Sequence, residues 1–286
     1  MSAGDDTRLI DELLRKALAE DLGAEGDITS QAIFPAGRTA KASIVAKAPG
    51  VLSGGTILAP LYALVDPGVT VSGLVADGSR VAEGTVVARL EGPIRAILAG
   101  ERTGLNLLQH LSGIATLTAR MVAAIGPARA RLLDTRKTTP MLRALEKKAV
   151  RDGGGHNHRF GLFDMVLIKH THVAAAGGVA AAIRAVRAAR AGKPAVAIEA
   201  EVGSVEEFRE ALAEHPDRIM LDNMSPAEMR ECVALARRAK PRVELEASGN
   251  VTLDTVRAVA ETGVDFISCG SITHSAPILD MHLVIG

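Results

Sequence analysis

The sequence contains no tryptophan, a single tyrosine (Tyr62) and five phenylalanines in 286 residues, so aromatic side chains make up only 2% of it. Stacking platforms of the kind that bind single-stranded nucleic acids are not expected, and the core has to be aliphatic. Charge excess is lacking too. Lysine plus arginine number 33 and aspartate plus glutamate number 33, which argues against the broad basic field of a non-specific nucleic-acid binder and makes any charge selectivity local. There are two cysteines, Cys232 in a helical pattern and Cys269 in an apolar strand-like run. They show neither metal spacing nor a disulfide framework, so reduced, buried thiols are expected. No run of eighteen uninterrupted apolar residues occurs, and the acidic stretch MSAGDDTRLIDELL lacks the apolar centre of a signal peptide. These absences point to a cytoplasmic globular protein with no membrane partner. What is abundant is apolar material: 48% of the chain, enough for one large α/β domain or two smaller ones.

The first hundred residues and the remainder follow different patterns. Leu9, Ile10, Leu13, Leu14, Ala17 and Leu18 stand at helical spacing over residues 7–21, and GAEGDITS then breaks the helix. Between Lys41 and Leu90 come short β-branched runs, ASIVAKA, VTVSGLVADGS and GTVVARL, punctuated by Gly, Pro and Asp-Gly turns. They predict a small antiparallel sheet flanked by helices. DGSRVAEGTVVARLEG also has the look of a lipoyl-type hairpin, but no lysine sits at its turn. A long helix is predicted over Ile94–Ile125. Thereafter ARLLDTRKT, MVLIKHTH, AVAIEAEV, RIMLDNM, RVELEAS and DFISCGS alternate with helical segments at Val179–Ala191, Val205–Glu214, Pro226–Ala239 and Leu253–Thr262. Such alternation predicts a parallel sheet with right-handed crossovers. Six clear strands, or seven, fall short of a full barrel's eight, so an incomplete α/β barrel competes with an open doubly wound sheet. Both place function outside the carboxyl ends of the strands.

The residues behind each apolar run are Asp134, Thr135, Arg136 and Lys137; Lys169, His170 and His172; Glu199 and Glu201; Asp222 and Asn223; Glu246, Ser248, Gly249 and Asn250; Gly270 and Ser271. Solvated charges at strand ends are ordinary one at a time. Six rims carrying them together are not, and Ala195, Arg218 and Arg242 at the opposite ends look plainer. The signs also sort: Arg136, Lys137, His158, Arg159 and Lys169 form a cationic group, Glu201 and Asp222 an anionic pair. Clustered cations are stable mainly around an anion, and arginine suits carboxylate or phosphate geometry. A multiply anionic small molecule is the expected ligand, with the carboxylates suited to a divalent metal that bridges phosphate oxygens. EASGNVTLDTV and ISCGSITHS offer glycine turns, with Ser248, Gly249, Asn250, Gly270 and Ser271, as a phosphate cradle, the first expected to lead into a helix N-terminus.

RDGGGHNHRFG, residues 151–161, is no helix former. His156 with His158 and His170 with His172 make His-x-His pairs that suit a metal-dependent hydrolase, although Arg159 and Lys169 beside them would oppose a dication. The letters HNH alone make a weaker case for a nuclease. His110, His215 and His282 carry no functional signal.

DTRKTTP, AVRDGGGHNHRFGLFDMVLIK, LDNMSP and LEASGNVTLDTVRAVAETGVDFISCGSITHS, together with EDLGAEGDITS and GERTGLNLLQHLSGIAT, resemble the quinolinate phosphoribosyltransferase family over most of the chain and in the same order. The resemblance implies an N-terminal α/β sandwich of residues 1–108, with the tail 275–286 packing on it, and an open, about seven-stranded α/β barrel of residues 109–274. It implies a homodimer or higher oligomer in which Arg102 reaches the neighbouring site. It also implies the reaction: quinolinate and phosphoribosyl pyrophosphate give nicotinate mononucleotide, pyrophosphate and carbon dioxide with Mg2+, in NAD biosynthesis. By motif, Arg136, Lys137, His158, Arg159 and Lys169 line the substrate pocket, Glu201 and Asp222 attend the ribose and magnesium, and Ser248, Gly249, Asn250 and Gly270 form the phosphate loops. Lys137, Lys169, Glu201 and Asp222 are the expected catalytic residues. Three positions depart from the family pattern: Met141 stands for a common glycine, Lys148 for tyrosine, and His170 for an acidic residue beside the site lysine. A molybdenum-locus relative acting on another substrate is therefore the nearest alternative. A non-catalytic binder of phosphorylated metabolites would need the cations but not Glu201 and Asp222.

Overall fold

A computed structural model of the chain describes residues 3–286, with side chains from residue 8 onward. It divides into two compact units, one of Met1–Ala119, Thr139–Gly154 and Ser275–Gly286, the other of Arg120–Thr138 and Gly155–His274. The first holds strands β1 (Thr39–Ala46), β2 (Gly50–Val51), β3 (Thr70–Ser72), β4 (Arg80–Val81) and β5 (Val86–Pro93). The second holds β6 (Arg131–Leu133), β7 (Val166–Ile168), β8 (Ile198–Val202), β9 (Arg218–Asp222), β10 (Glu244–Ser248) and β11 (Phe266–Ser268), and β12 (Met281–Ile285) returns to the first.

In the first unit β12, β1, β5 and β3 form one antiparallel sheet in that order. Alternation along β1 and β5 turns Ile44, Ala46, Ala88 and Leu90 inward onto Leu58, Tyr62, Leu105 and Leu108 of the helices Leu58–Val65 and Ile94–Ile125. Tyr62, fully buried, donates its hydroxyl to the Ile97 carbonyl at 3.3 Å. The ring lies so close to Gly100 that a β-carbon there would stand 2.6 Å from it. The predicted long helix has the predicted ends, and its last six residues belong to the second unit. A helix at Arg143–Asp152 stops at Gly153, the first glycine of RDGGG. Two departures from the family pattern fall here. Met141 adopts φ 69°, the left-handed region that glycine enters without strain. Lys148 is held by Asp77 at 2.6 Å and Asp152 at 2.7 Å; burial alone would lower its pKa, but the two carboxylates reverse the direction and raise it.

In the second unit six parallel strands run in the order β6, β11, β10, β9, β8, β7. The two strands earliest in this unit are thus its two edges, the strand order of an α/β barrel left open between them. At the free edge of β6, His156 forms a parallel bridge with Leu133: its N–H donates to Leu132 at 2.8 Å and its carbonyl accepts from Asp134 at 3.1 Å. This bridge is the rudiment of a seventh strand. Helices begin where capping chemistry places them. Ser204 accepts from Glu207 N–H, and Ser225, Pro226 and Glu228 make a capping box. Two helices are shorter than the pattern predicted, Pro226–Ala236 and Val256–Ala260. At the second, the Thr255 hydroxyl accepts the Thr252 N–H at 2.9 Å, a side-chain turn that delays the helix. Cys232 and Cys269 are free and buried. Among the described residues no helix is long and apolar enough to cross a membrane.

Candidate active site

Outside the carboxyl ends of the parallel strands lies a cavity of about 590 Å3. Its cationic wall comes from three separate segments. Thr135, Arg136 and Lys137 follow β6, His158 and Arg159 stand in the bridging segment, and Lys169 follows β7 directly. Asp134, fully buried at the end of β6, ties two of these segments together by accepting from Asn157 Nδ2 at 2.5 Å and from His158 N–H at 2.9 Å. Thr135 Oγ1 accepts the Lys137 N–H at 3.0 Å, and Thr273 Oγ1 donates to the Lys137 carbonyl at 2.8 Å. Arg159 reaches the Met165 carbonyl at 3.1 Å. Its pKa is lowered by burial and then by the neighbouring Arg136, the cost of packing like charges. Neither Lys137 nor Lys169 forms an ion pair with a carboxylate among the described residues. Two lysines without an ion pair, set in one wall with further cations, make an anion receptor.

Opposite them stand Glu201 at β8 and Asp222 at β9. Glu201 Oε1 accepts from the His170 backbone at 3.3 Å and from its Nδ1 at 2.9 Å, which requires the proton on that nitrogen. Asp222 Oδ2 accepts from Asn223 Nδ2 at 2.9 Å. One oxygen of each carboxylate is left without a hydrogen bond among the described residues. That donor set fits magnesium, which prefers one or two carboxylates and fills its remaining positions with water and substrate oxygens.

The late loops complete the cavity with Ser248, Gly249 and Asn250, then Gly270 and Ser271. Gly249 has φ 98° and Asn250 φ 49°, so the backbone turns sharply as it leaves β10. The expected helix N-terminus does not adjoin this loop. The Thr252–Thr255 turn intervenes and the helix starts only at Val256, so the loop rather than a helix end lines the cavity. Gly270 is required for room rather than for backbone angle: a β-carbon there would stand 2.8 Å from Lys137 Cδ and 3.2 Å from the His274 ring.

Beneath the rim lies a charged layer that the sequence reading had put at the rim. Side chains alternate along a strand, so Glu199 shares a face with Glu201, Arg218 with Asp222, and Glu246 with Ser248, each one or two steps further in. Glu199 and Glu246 are fully buried. His158 Nε2 lies 3.0 Å from Glu199 and 3.5 Å from Glu246, and Arg218 Nη1 lies 3.0 Å from Glu246, its guanidinium 3.9 Å above the Phe266 ring. Burial pushes both carboxyls up to about 7, with each other's charge adding to the rise at Glu246. These three ligand atoms lie within 4.8 Å of one another, but a metal would meet the Arg218 cation. It would also meet an Nε2 that carries the proton, because His158 Nδ1 accepts the Arg159 N–H at 2.7 Å. The layer is better described as an internally compensated support for His158. Among the described residues the His-x-His pairs form no ligand cluster; His172 Nδ1 instead accepts the Lys169 N–H at 2.9 Å.

The cavity therefore gathers most of the strand-end residues, together with His158 and Arg159, whereas Asp134, His172 and Glu199 do not line it. Arg102 is not among its lining residues. It stands on Ile94–Ile125, exposed, with Glu101 at 4.0 Å. Residues the sequence did not single out for the site are His274 in the lining and Arg218 beneath, while Asn223 and Glu246, read only as strand-end residues, also line the cavity. Counting back in twos from Asp222 and Ser248 would have turned Arg218 and Glu246 inward.

Models of the quinolinate phosphoribosyl transferase N-terminal and C-terminal domains match residues 27–112 and 114–284. The chain belongs to the quinolinate phosphoribosyltransferase family. It is 43% identical over 272 residues to the probable nicotinate-nucleotide pyrophosphorylase (carboxylating) of Bacillus subtilis strain 168, covering 95% of this chain and 92% of that one. It is 44% identical over 277 residues to the nicotinate-nucleotide pyrophosphorylase (carboxylating) of Mycobacterium leprae, covering 95% of each. The solved nicotinate-nucleotide pyrophosphorylase of Francisella tularensis superposes with a TM-score of 0.90 at 38% identity, over 98% of this chain and 96% of that one. For a quinolinate phosphoribosyltransferase, a cationic pocket facing two carboxylates matches two anionic substrates.

Proposed function

We propose that this member of the family transfers the phosphoribosyl group of phosphoribosyl pyrophosphate to quinolinate with loss of carbon dioxide, giving nicotinate mononucleotide and pyrophosphate for NAD synthesis. The observation that carries the reading is the meeting of Arg136, Lys137, Arg159 and Lys169, from three chain segments, in one cavity with Glu201 and Asp222. The cations hold the two carboxylates of quinolinate and set its ring nitrogen toward the ribose, a positioning contribution rather than covalent catalysis. Glu201 and Asp222 stabilise the positive charge that develops on the ribose as pyrophosphate departs. The loops of Ser248, Gly249, Asn250, Gly270 and Ser271 hold phosphate oxygens. Mg2+, when bound, neutralises the pyrophosphate, and Glu201 and Asp222 would hold it. Once the ring nitrogen is alkylated, its positive charge stabilises the electron pair that departing carbon dioxide leaves on the adjacent ring carbon; that carbon then takes a proton from water to give nicotinate mononucleotide, and Lys137 and Lys169 hold the remaining carboxylate.

Arg102 completes the quinolinate pocket of a neighbouring copy, so the working form is a homodimer or a larger assembly of dimers. It works in the cytoplasm. The test is incubation with quinolinate, phosphoribosyl pyrophosphate and Mg2+. Nicotinate mononucleotide and pyrophosphate should appear in equal amounts. Consumption of the sugar diphosphate only with a different acid would refute quinolinate as the acceptor.

A further inference from the structure

Each rim carboxylate is gripped at one oxygen by a residue with no other assigned task. Asn223 is the stronger case. It lies in the left-handed region at φ 54°, where glycine would be easier, yet its amide is used at both ends: Nδ2 donates to Asp222 Oδ2 at 2.9 Å and Oδ1 accepts from Asn250 Nδ2 at 3.1 Å. Its backbone N–H donates to the Ser248 carbonyl at 2.9 Å. The next loop makes room for it, since a β-carbon at Gly249 would stand 2.5 Å from Asn223 Cγ. A residue needed only to turn the chain would not require that space. His170 plays the same part at Glu201 Oε1, where its backbone and ring both donate.

We infer that Asn223 and His170 are positioning residues, each fixing one oxygen of its neighbouring rim carboxylate and so setting how the other is offered to the ribose and pyrophosphate side of the ligand. The inference rests on the function proposed above. A carboxylate held at one oxygen cannot swing to offer both, so its ordering precedes ligand binding and is not charged to it. Asn223 also couples the loops behind β9 and β10, which makes Asp222 and the Ser248–Asn250 turn one unit.

The test uses three variants of the full chain. Asn223→Gly keeps the left-handed backbone and removes the amide. Asn223→Asp keeps the shape and replaces the donor by an anion. His170→Ala removes a ring whose side chain is 80% exposed, so folding is not at stake. Binding of phosphoribosyl pyrophosphate in Mg2+, without quinolinate, is measured by calorimetry, and KM is measured for both substrates. Loss of a hydrogen bond to a charged group predicts binding about tenfold weaker in Asn223→Gly, at least as weak in Asn223→Asp, and about threefold weaker in His170→Ala. KM for quinolinate should stay within about twofold, a split that general loosening of the fold would not produce. Wild-type affinity in both Asn223→Gly and His170→Ala, or equal increases in both KM values together with a fall in Tm, overturns the positioning role. Failure of the wild-type protein to bind phosphoribosyl pyrophosphate overturns the proposed function instead.

Discussion

Glu246→Gln tests the buried layer without touching the rim. In the folded protein the Glu246 carboxyl faces Glu199 on β8, Arg218 on β9, His158 on the bridging segment and Ser268 on β11, and its pKa stands at about 7 against an ordinary 4.5. That difference amounts to roughly 3 kcal/mol of extra cost for the ionised form in the fold. Between pH 4.5 and 7 the folded state binds more protons than the unfolded chain. Stability therefore falls as pH rises through this window and levels off above it. Glutamine keeps the shape and stays neutral throughout. Denaturant unfolding between pH 5 and 8 should show the variant's stability gaining on the wild type by about 3 kcal/mol, an upper value because the two carboxyls share the cost. Most of that gain should be complete by pH 7.5. Parallel pH profiles for variant and wild type would refute the assignment of a raised pKa to this pair.

Gly270→Ala should displace Lys137 and raise KM for quinolinate by about tenfold while leaving that for phosphoribosyl pyrophosphate within about threefold, measured by steady-state kinetics; equal effects on both would place Gly270 at the phosphates instead. Lys169→Met should lower kcat/KM by about a hundredfold or more with little change in Tm, because the side chain is exposed in the cavity and supports no ion pair. The double variant Glu201→Ala with Asp222→Ala should abolish nicotinate mononucleotide formation while quinolinate binding by calorimetry survives; turnover in that variant would remove both carboxylates from the mechanism.

The fold was largely legible because its punctuation is physical. Short, near-continuous apolar strands between capped amphipathic helices admit only a parallel sheet covered on both faces. The break of the Ile94–Ile125 helix from the strands that follow lies in the glycine and proline of IGPAR. The rim was legible for a related reason. A strand's carboxyl end is where side chains leave the packed core, so a charge there must be solvated or used, and six used rims read as a site. What sequence could not supply was depth. Glu199 and Glu246 look like rim residues because their strands are short and polar at the end; alternation gives the face they share with Glu201 and Ser248, and the register with Arg218 and Phe266 gives their depth. Side-chain contacts across loops were equally invisible. Nothing in LDNMSP says that Asn223 bonds Asn250, twenty-seven positions later.

Arg218 shows why such a buried layer is tolerated at all. An ionised carboxylate taken from water with no partner costs several kcal/mol, and two facing each other cost more. Here Arg218 supplies one cation to Glu246 and stacks on Phe266, and His158 donates to Glu199. One shared proton can remove much of the remaining charge near neutral pH. A hydrophobic replacement of Glu199, Glu246 and Arg218 would be neutral or stabilising by the usual measure of buried ion pairs. It would also take away the carboxylates that meet His158 Nε2 and fix the ring whose Nδ1 accepts the Arg159 N–H beside the cavity. The charged layer is thus the price of a fixed anion receptor, built from the same alternating strand faces that carry Glu201 and Asp222 to the rim.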